Sequence, residues 1–277
     1  VFPLSIPLEN NKQIEEVVQQ EVKKIEVLEK PASLETLTEK SLFPEHKSAL
    51  NIPLTNSEYS VYDYYLNQAE NTHTSIKPYV YSEVNVFIDL DSQKNELIQP
   101  KSTWFGRKLL NEHMANVRGK DFWFTIDPIV DLQVGSDSEG INTFNNTRGI
   151  QLNGGLGKNF NFSTSFYESQ GRFANYFNTY AASIKPDGGN PAIIPGRGIA
   201  KDFKTDAYDY PVAEAYVSYT PSNYFNFQFG TGKNFIGDGY RSLFLSDVAS
   251  PYPYFKINTS FWKIKYTNLW MSMQDVR

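Results

Sequence analysis

Residues able to do chemistry are few in this chain, and they are widely spaced. The three histidines, His46, His73 and His113, lie far apart and at no metal-binding spacing such as His-x-x-x-His. They read as structural or surface residues. Asp127 and Asp131 share a face of an alternating segment, yet at about 3.3 Å per residue they stand roughly 13 Å apart. Paired glycosidase carboxylates are separated by only about 5–9.5 Å. Asp137 and Glu139, in the stretch Ser136 to Gly140, lack the bidentate Glu at position 12 that a calcium loop needs, so a strand turn accounts for them. Gly230-Thr231-Gly232-Lys233 has the look of a phosphate loop. The first glycine of that motif would fall on Phe227, however, and Asn234 stands where Ser or Thr is required. No Gly-x-Ser-x-Gly elbow is present. The expectation is a non-enzymatic protein with no catalytic residue, no metal and no cofactor. Tyr176, Tyr180, Tyr208 and Tyr210 are candidates for stacking on sugars, with packing of the loop on itself as the equal alternative.

Composition narrows the class of protein that positions these residues. The chain has 277 residues, 15% of them aromatic, against 40% hydrophobic overall and a mean hydropathy of -0.46. Its apolar surface is concentrated in rings. Cysteine is absent, which removes disulfide frameworks and Cys-based zinc sites. No apolar run approaches the roughly 18 residues of a transmembrane helix. A net charge of -5 gives no support for nucleic-acid binding. Two classes remain, a soluble all-β protein and a β-barrel that meets lipid.

Two unlike parts follow in order. Residues 1 to 77 contain few of the aromatics and begin with no signal-peptide pattern. Within residues 10 to 30, Ile14, Val17, Val18, Val22, Ile25 and Leu28 fall on one helical face, and Pro31 ends the pattern. This predicts a short amphipathic helix on a flexible arm, of the kind that usually just packs on something; the sharper alternative is a docking element for periplasmic or outer-membrane proteins. Residues 31 to 77 read as an extended linker.

From residue 78 the period is two. Val80, Val84, Val86, Ile88 and Leu90 predict a strand over 79–91. Phe122, Phe124, Ile126, Pro128, Val130, Leu132 and Val134 share one face of another over 122–134. Two hairpins follow. Ile150 to Leu156 turns at Gly157-Lys158-Asn159 into Phe160 to Phe166, and Ala213 to Tyr219 turns at Pro221-Ser222-Asn223 into Phe225 to Phe229. A closing pair is expected at 253–262 and 264–273. Residues 172 to 210 read as a long Gly- and Pro-rich loop with no regular element.

Alternation alone does not separate a sandwich from a barrel. Three details favour the barrel. The strands are about 10 residues or more, near the 9–11 needed to cross a bilayer. The polar faces are rich in Asn, Ser, Gln and Gly, as in a wet lumen, and tight turns alternate with long connections. The predicted fold is an all-β antiparallel transmembrane barrel, incomplete in this chain, with an N-terminal helical and extended arm. Residues 78–277 form the barrel portion and residues 1–77 the arm, placed in the periplasm. The native protein is expected to be longer.

Residues 228 to 257 read QFGTGKNFIGDGYRSLFLSDVASPYPYFKI. A strand, a Gly-rich loop and a Ser-Leu-x-Leu-Ser-(Asp/Asn)-x-Ala-x-Pro-x-Pro core leading into a new strand resemble the Wzi-type capsule-assembly barrels. They are more similar still to the RemB-type gliding-motility outer-membrane proteins. Residues 104–112 (Trp-Phe-Gly-Arg-Lys-Leu-Leu-Asn-Glu), 122–128 and 146–149 add to the likeness, which spans about residues 80 to 273. The family-like loop residues are Gly237, Asp238, Gly239, Arg241, Ser246, Asp247, Pro251 and Pro253. The resemblance implies an outer-membrane protein of surface-polysaccharide binding and assembly, or of gliding and protein-secretion machinery. Its partners would be membrane lipid and surface polysaccharide. It brings no catalytic residues. The alternatives are a soluble secreted carbohydrate-binding protein, and a porin or barrel enzyme.

Overall fold

The structure, a computed structural model, describes residues 42–68, 75–185 and 189–273. The helix expected within residues 10–30 lies outside the described residues. From Phe43 onward the chain forms one compact unit, so residues 43–77 belong with the strands that follow them.

A single antiparallel sheet dominates. Its long strands are β3 (Phe122–Ser136), β4 (Asn142–Leu156), β5 (Phe160–Arg172), β8 (Ala207–Ser222), β9 (Phe225–Gly232), β11 (Tyr252–Phe261) and β12 (Ile264–Met271). With β2 (Ala115–Arg118) they run in the order β12-β11-β9-β8-β5-β4-β3-β2. The sheet is open: among the described residues no strand joins β2 to β12. The expected hairpins and the closing pair are all present.

Register explains the two faces of this sheet. One ladder crosses it through Phe124, Gly154, Phe162, Val217, Phe229, Phe255 and Trp270. The next ladder, one residue away on every strand, runs Trp123, Gly155, Asn161, Ser218, Gln228, Lys256 and Leu269. Successive strand residues point to opposite faces, so a period of two in sequence becomes two unlike surfaces. Phe229 is 64% exposed, whereas its neighbour Gln228 is completely buried. Val130, Leu132, Val134, Ile150 and Phe166 are exposed with Phe229, while Thr125, Asn161, Ser169, Ser218 and Lys256 are buried with Gln228. The sheet therefore turns its apolar face outward and its polar face inward.

Connections differ at the two ends. Residues 119–121, 157–159, 223–224 and 262–263 make tight turns at one end. Exposed rings of Phe122, Tyr219, Tyr224, Phe225, Phe261 and Trp262 gather there. The other end carries the turn at 137–141 and the long connections 173–206 and 233–251. The first of these long connections is not the structureless loop expected. It contains α5 (Asn175–Ser183), β6 (Ala192–Ile194) and β7 (Gly198–Phe203), closed on a small core of Ala181, Ala192, Ile194, Ala200, Tyr208 and Tyr210.

The N-terminal part of the unit also departs from expectation. Residues 44–47 form a 3-10 turn and Asn56–Gln68 form α1, where a linker was expected. The short β1 (Ile76–Lys77) pairs antiparallel with β10 (Phe235–Ile236) in the second long connection. Residues 79–91 are not a strand. The chain makes α2 (Tyr81–Val84), then α3 (Leu90–Leu97), which is capped by the Asp89 carboxylate accepting from Ser92 N at 3.1 Å. Val84, Ile88 and Leu90 are buried with Ile52, Tyr59, Leu66 and Tyr79, whereas Val86 is 76% exposed. The alternation failed as a guide because Val80, Val84 and Ile88 recur at a spacing of four, which satisfies a helix as well as a strand. The remaining helical piece, α4 (Trp104–Gly106), continues into a π turn at Arg107–Asn111. No described helix is long and apolar enough to cross a membrane.

Candidate functional site

The inward face of the sheet forms a polar hollow, and segments between residues 45 and 83 are bound into it. Asn51 and Gln228 exchange side-chain hydrogen bonds, Nδ2 to Oε1 at 3.2 Å and Nε2 to Oδ1 at 2.8 Å. Asn51 N donates to the Tyr216 hydroxyl at 2.7 Å, and Ala49 N donates to Asn161 Oδ1 at 3.1 Å. Lys265 on β12 pairs with Glu83 on α2. The polar face thus finds its partners in a folded segment of the same chain.

One ionic trio clamps this segment to the sheet. His113 Nδ1 lies 2.5 Å from Asp127 Oδ2 on β3, and its Nε2 lies 3.1 Å from Glu45 Oε1. Glu45 and His113 are both buried. Burial alone would lower the His113 pKa, but the Asp127 and Glu45 carboxylates outweigh it and hold the ring at about 9. The imidazolium is therefore the resident form at neutral pH. His46 has the opposite bias: burial lowers its pKa, although Asp91 sits 2.8 Å from its Nδ1. His73 lies outside the described residues. No group of three His, Cys, Asp or Glu suited to a metal occurs among the described residues.

Asp127 and Asp131 do not act together. Asp127 is committed to His113 and to Met114 N, while Asp131 accepts from Gln133 and Asn145. Asp137 closes the β3–β4 turn by accepting from Glu139 N and Ile141 N at 2.9 Å each, as a turn residue does.

The ring-bearing candidates separate. Tyr176 is 80% exposed and Tyr180 is exposed beside it on α5. Tyr208 and Tyr210 are buried in the small core of the long connection, where Phe173 packs on Tyr210 at 6.1 Å between ring centroids. Their rings are occupied by packing and are not presented to a sugar.

Among the described residues, cavities lie toward the long-connection end and in the hollow. The first, about 320 Å³, is lined by Asp238, Gly239, Arg241 and Asp247 of the family-like loop, together with Lys77. Arg241 pairs with Asp247 at 3.4 Å, and Lys77 Nζ reaches Asp63 at 2.6 Å and Asp238 at 3.5 Å. Gly237 takes a φ of +112°, a region that favours glycine, and its N donates to Ser75 O. Ser246, Pro251 and Pro253 line a different cavity of about 580 Å³ with Tyr180. The loop motif is therefore split between two surfaces.

The third cavity, about 320 Å³, opens in the hollow itself, between residues 51–54 and the strands. Tyr167, Glu214 and Tyr216 line it from the sheet, and Arg197 and Lys233 line it from the connections. Glycines make room for two of its three tyrosines, Tyr167 and Tyr216. A Cβ at Gly149 would stand 2.4 Å from the Tyr167 Cβ, and one at Gly230 would stand 2.4 Å from the Tyr216 Cβ. Each glycine sits directly opposite its tyrosine in register. Burial lowers the Lys233 pKa, against the pull of Glu214. Glu214, Gln228 and Lys256 fall on the polar face that the alternation assigns them. Asn51, the partner of Gln228, carries no such signal, because a short polar segment without a long period does not announce what it docks against.

No protein-family model, curated protein or solved structure matches this chain.

Proposed function

We propose that this chain forms the lipid-facing wall and the filled lumen of an outer-membrane β-barrel, a non-enzymatic protein of surface-polysaccharide handling or of gliding and secretion machinery. One observation carries the reading: the sheet is apolar outside and polar inside. In water, an exposed face bearing Val134, Phe229, Ile264 and Trp270 would be costly, at about 25 cal/mol per Å² of apolar surface. In hydrocarbon the same face is at home, and the inward polar groups keep their hydrogen bonds.

Three further features support it. Strands of 13 to 16 residues are long for a soluble sheet. Tight turns gather at one end and long connections at the other. The rings at the tight-turn end, Tyr224 and Trp262 among them, suit a headgroup belt. The reading requires strand partners for the edges β2 and β12, because an unpaired edge does not persist in hydrocarbon. The polar, tyrosine-lined cavity in the hollow favours the glycan-handling arm of the proposal over a purely mechanical one.

The test is phase behaviour. The full chain, expressed with outer-membrane targeting, should resist alkaline carbonate extraction and enter the detergent phase on cloud-point separation. Recovery in the aqueous phase overturns the barrel.

A further inference from the structure

We propose that the cavity in the hollow binds one uronic-acid unit of a saccharide. This rests on the glycan-handling arm of the proposed function and adds a site and a ligand class to it. At about 320 Å³ the cavity lies at the small end of the range for small-molecule sites, which is the scale of one sugar ring. The rings of Tyr167 and Tyr216 form part of its wall, and tyrosine offers an apolar body with a polar tip for such a ligand.

Its tyrosine hydroxyls are engaged, Tyr167 by Arg197 and Tyr216 by Asn51 N, but its carboxylate is not. The Glu214 carboxylate lines the cavity and accepts no hydrogen bond among the described residues. A carboxylate is an acceptor only, with room for several donors, and adjacent sugar hydroxyls supply them. Ser165, directly opposite Glu214 in register, lines the same wall, and its hydroxyl has no side-chain hydrogen bond among the described residues. Arg197 and Lys233 also line the cavity. Arg197 Nη1 donates to the Tyr167 hydroxyl and Lys233 Nζ donates to Gly196 O. Each contact uses one donor and leaves others over. Among the described residues no ion pair joins either cation to Glu214, so the carboxylate is not locked. Two cations against one carboxylate leave a positive excess, and the planar guanidinium of an arginine matches a carboxylate with two parallel hydrogen bonds. A neutral sugar would leave that excess unanswered. A uronic acid answers it with its carboxylate while its hydroxyls reach Glu214 and Ser165.

The experiment is saturation-transfer NMR on the full chain in detergent, with D-glucuronate, its neutral amide D-glucuronamide and D-glucose as probes. The expected result is transfer to glucuronate, with affinity at least about tenfold above that of either neutral probe. Arg197→Gln should abolish that preference, and Ser165→Phe should block all binding by filling the cavity without touching a charge. Circular dichroism melts would show both variants folded. Equal affinity for glucuronate and glucuronamide, no binding of glucuronate, or binding that survives Ser165→Phe overturns the proposal. A chain that enters the detergent phase but binds no uronate fails here and leaves the barrel standing. A chain that stays aqueous is titrated without detergent, so the barrel's failure is scored separately.

Discussion

Gln228 and Phe229 are neighbours in sequence, and their surroundings could hardly differ more. Gln228 is fully enclosed and exchanges two hydrogen bonds with Asn51; Phe229 lies open between Val217 and Phe255 on the outer ladder. The same contrast repeats along β3, β5, β8 and β11. The inner face draws its stability from partners that satisfy polar groups, each of which would be costly to strand away from water. The outer face has no protein partner among the described residues, so its stability depends on the medium around it. A substitution should then have an effect set by the face it falls on rather than by its residue type.

The largest effect is expected at the ionic trio on the inner face. Replacing His113 with Leu strands the buried Glu45 carboxylate without its counter-charge, at a cost of about 3–5 kcal/mol. The midpoint of urea unfolding reads it, and a shift equivalent to less than about 1 kcal/mol would mean the trio does not clamp the segment. The trio also sets a pH dependence. His113 is held at about 9, above its ordinary 6.5. Its contribution is therefore complete below about pH 6.5 and is lost as the pH rises through about 9. Wild type and the variant should differ most below neutrality and converge in alkaline solution.

The outer face comes next. Val217→Arg puts a charge in the middle of the outer ladder, between Phe162 and Phe229. In lipid this should cost about 2–4 kcal/mol and deplete the folded species that remains compact in cold detergent gels. Full assembly, with a change within about 0.5 kcal/mol, would place that face in water instead. The smallest pair sharpens the comparison at one step along β9. Gln228→Leu leaves the Asn51 amide unsatisfied and should cost about 1–3 kcal/mol. Phe229→Leu keeps an apolar group on the open face and should stay within about 0.5 kcal/mol. Thermal melts of the two variants in the same detergent would reverse that order if the faces were assigned the wrong way round.

Much of the sheet was legible because the strand period is short and the hairpin turns are local. Ile150 to Phe166 shows both strands and their turn within one short window. The segment filling the hollow was not legible as such. Tyr59, Tyr62 and Leu66 sit at helical offsets in α1, a signal masked by the polar residues around them. Val80, Val84 and Ile88 fit both periods, and only the exposure of Val86 separates them. The site was partly legible. Glu214 and Tyr216 could be assigned to the polar face, but Arg197 reaches the same cavity from a connection read as a featureless loop. Tyr208 and Tyr210 take the packing alternative for the same reason, since that connection folds a core of its own.

By itself the sequence determined that each long strand has one apolar and one polar face, because successive side chains must point opposite ways. Alternation is symmetric, however, and does not say which face is enclosed. Only the tertiary structure decided that, by bringing Asn51 onto Gln228 across 177 positions and Glu45 onto His113 across 68. Contacts so distant leave no local pattern, because what selects them is the complementarity of hydrogen-bonding and charged groups in the folded chain.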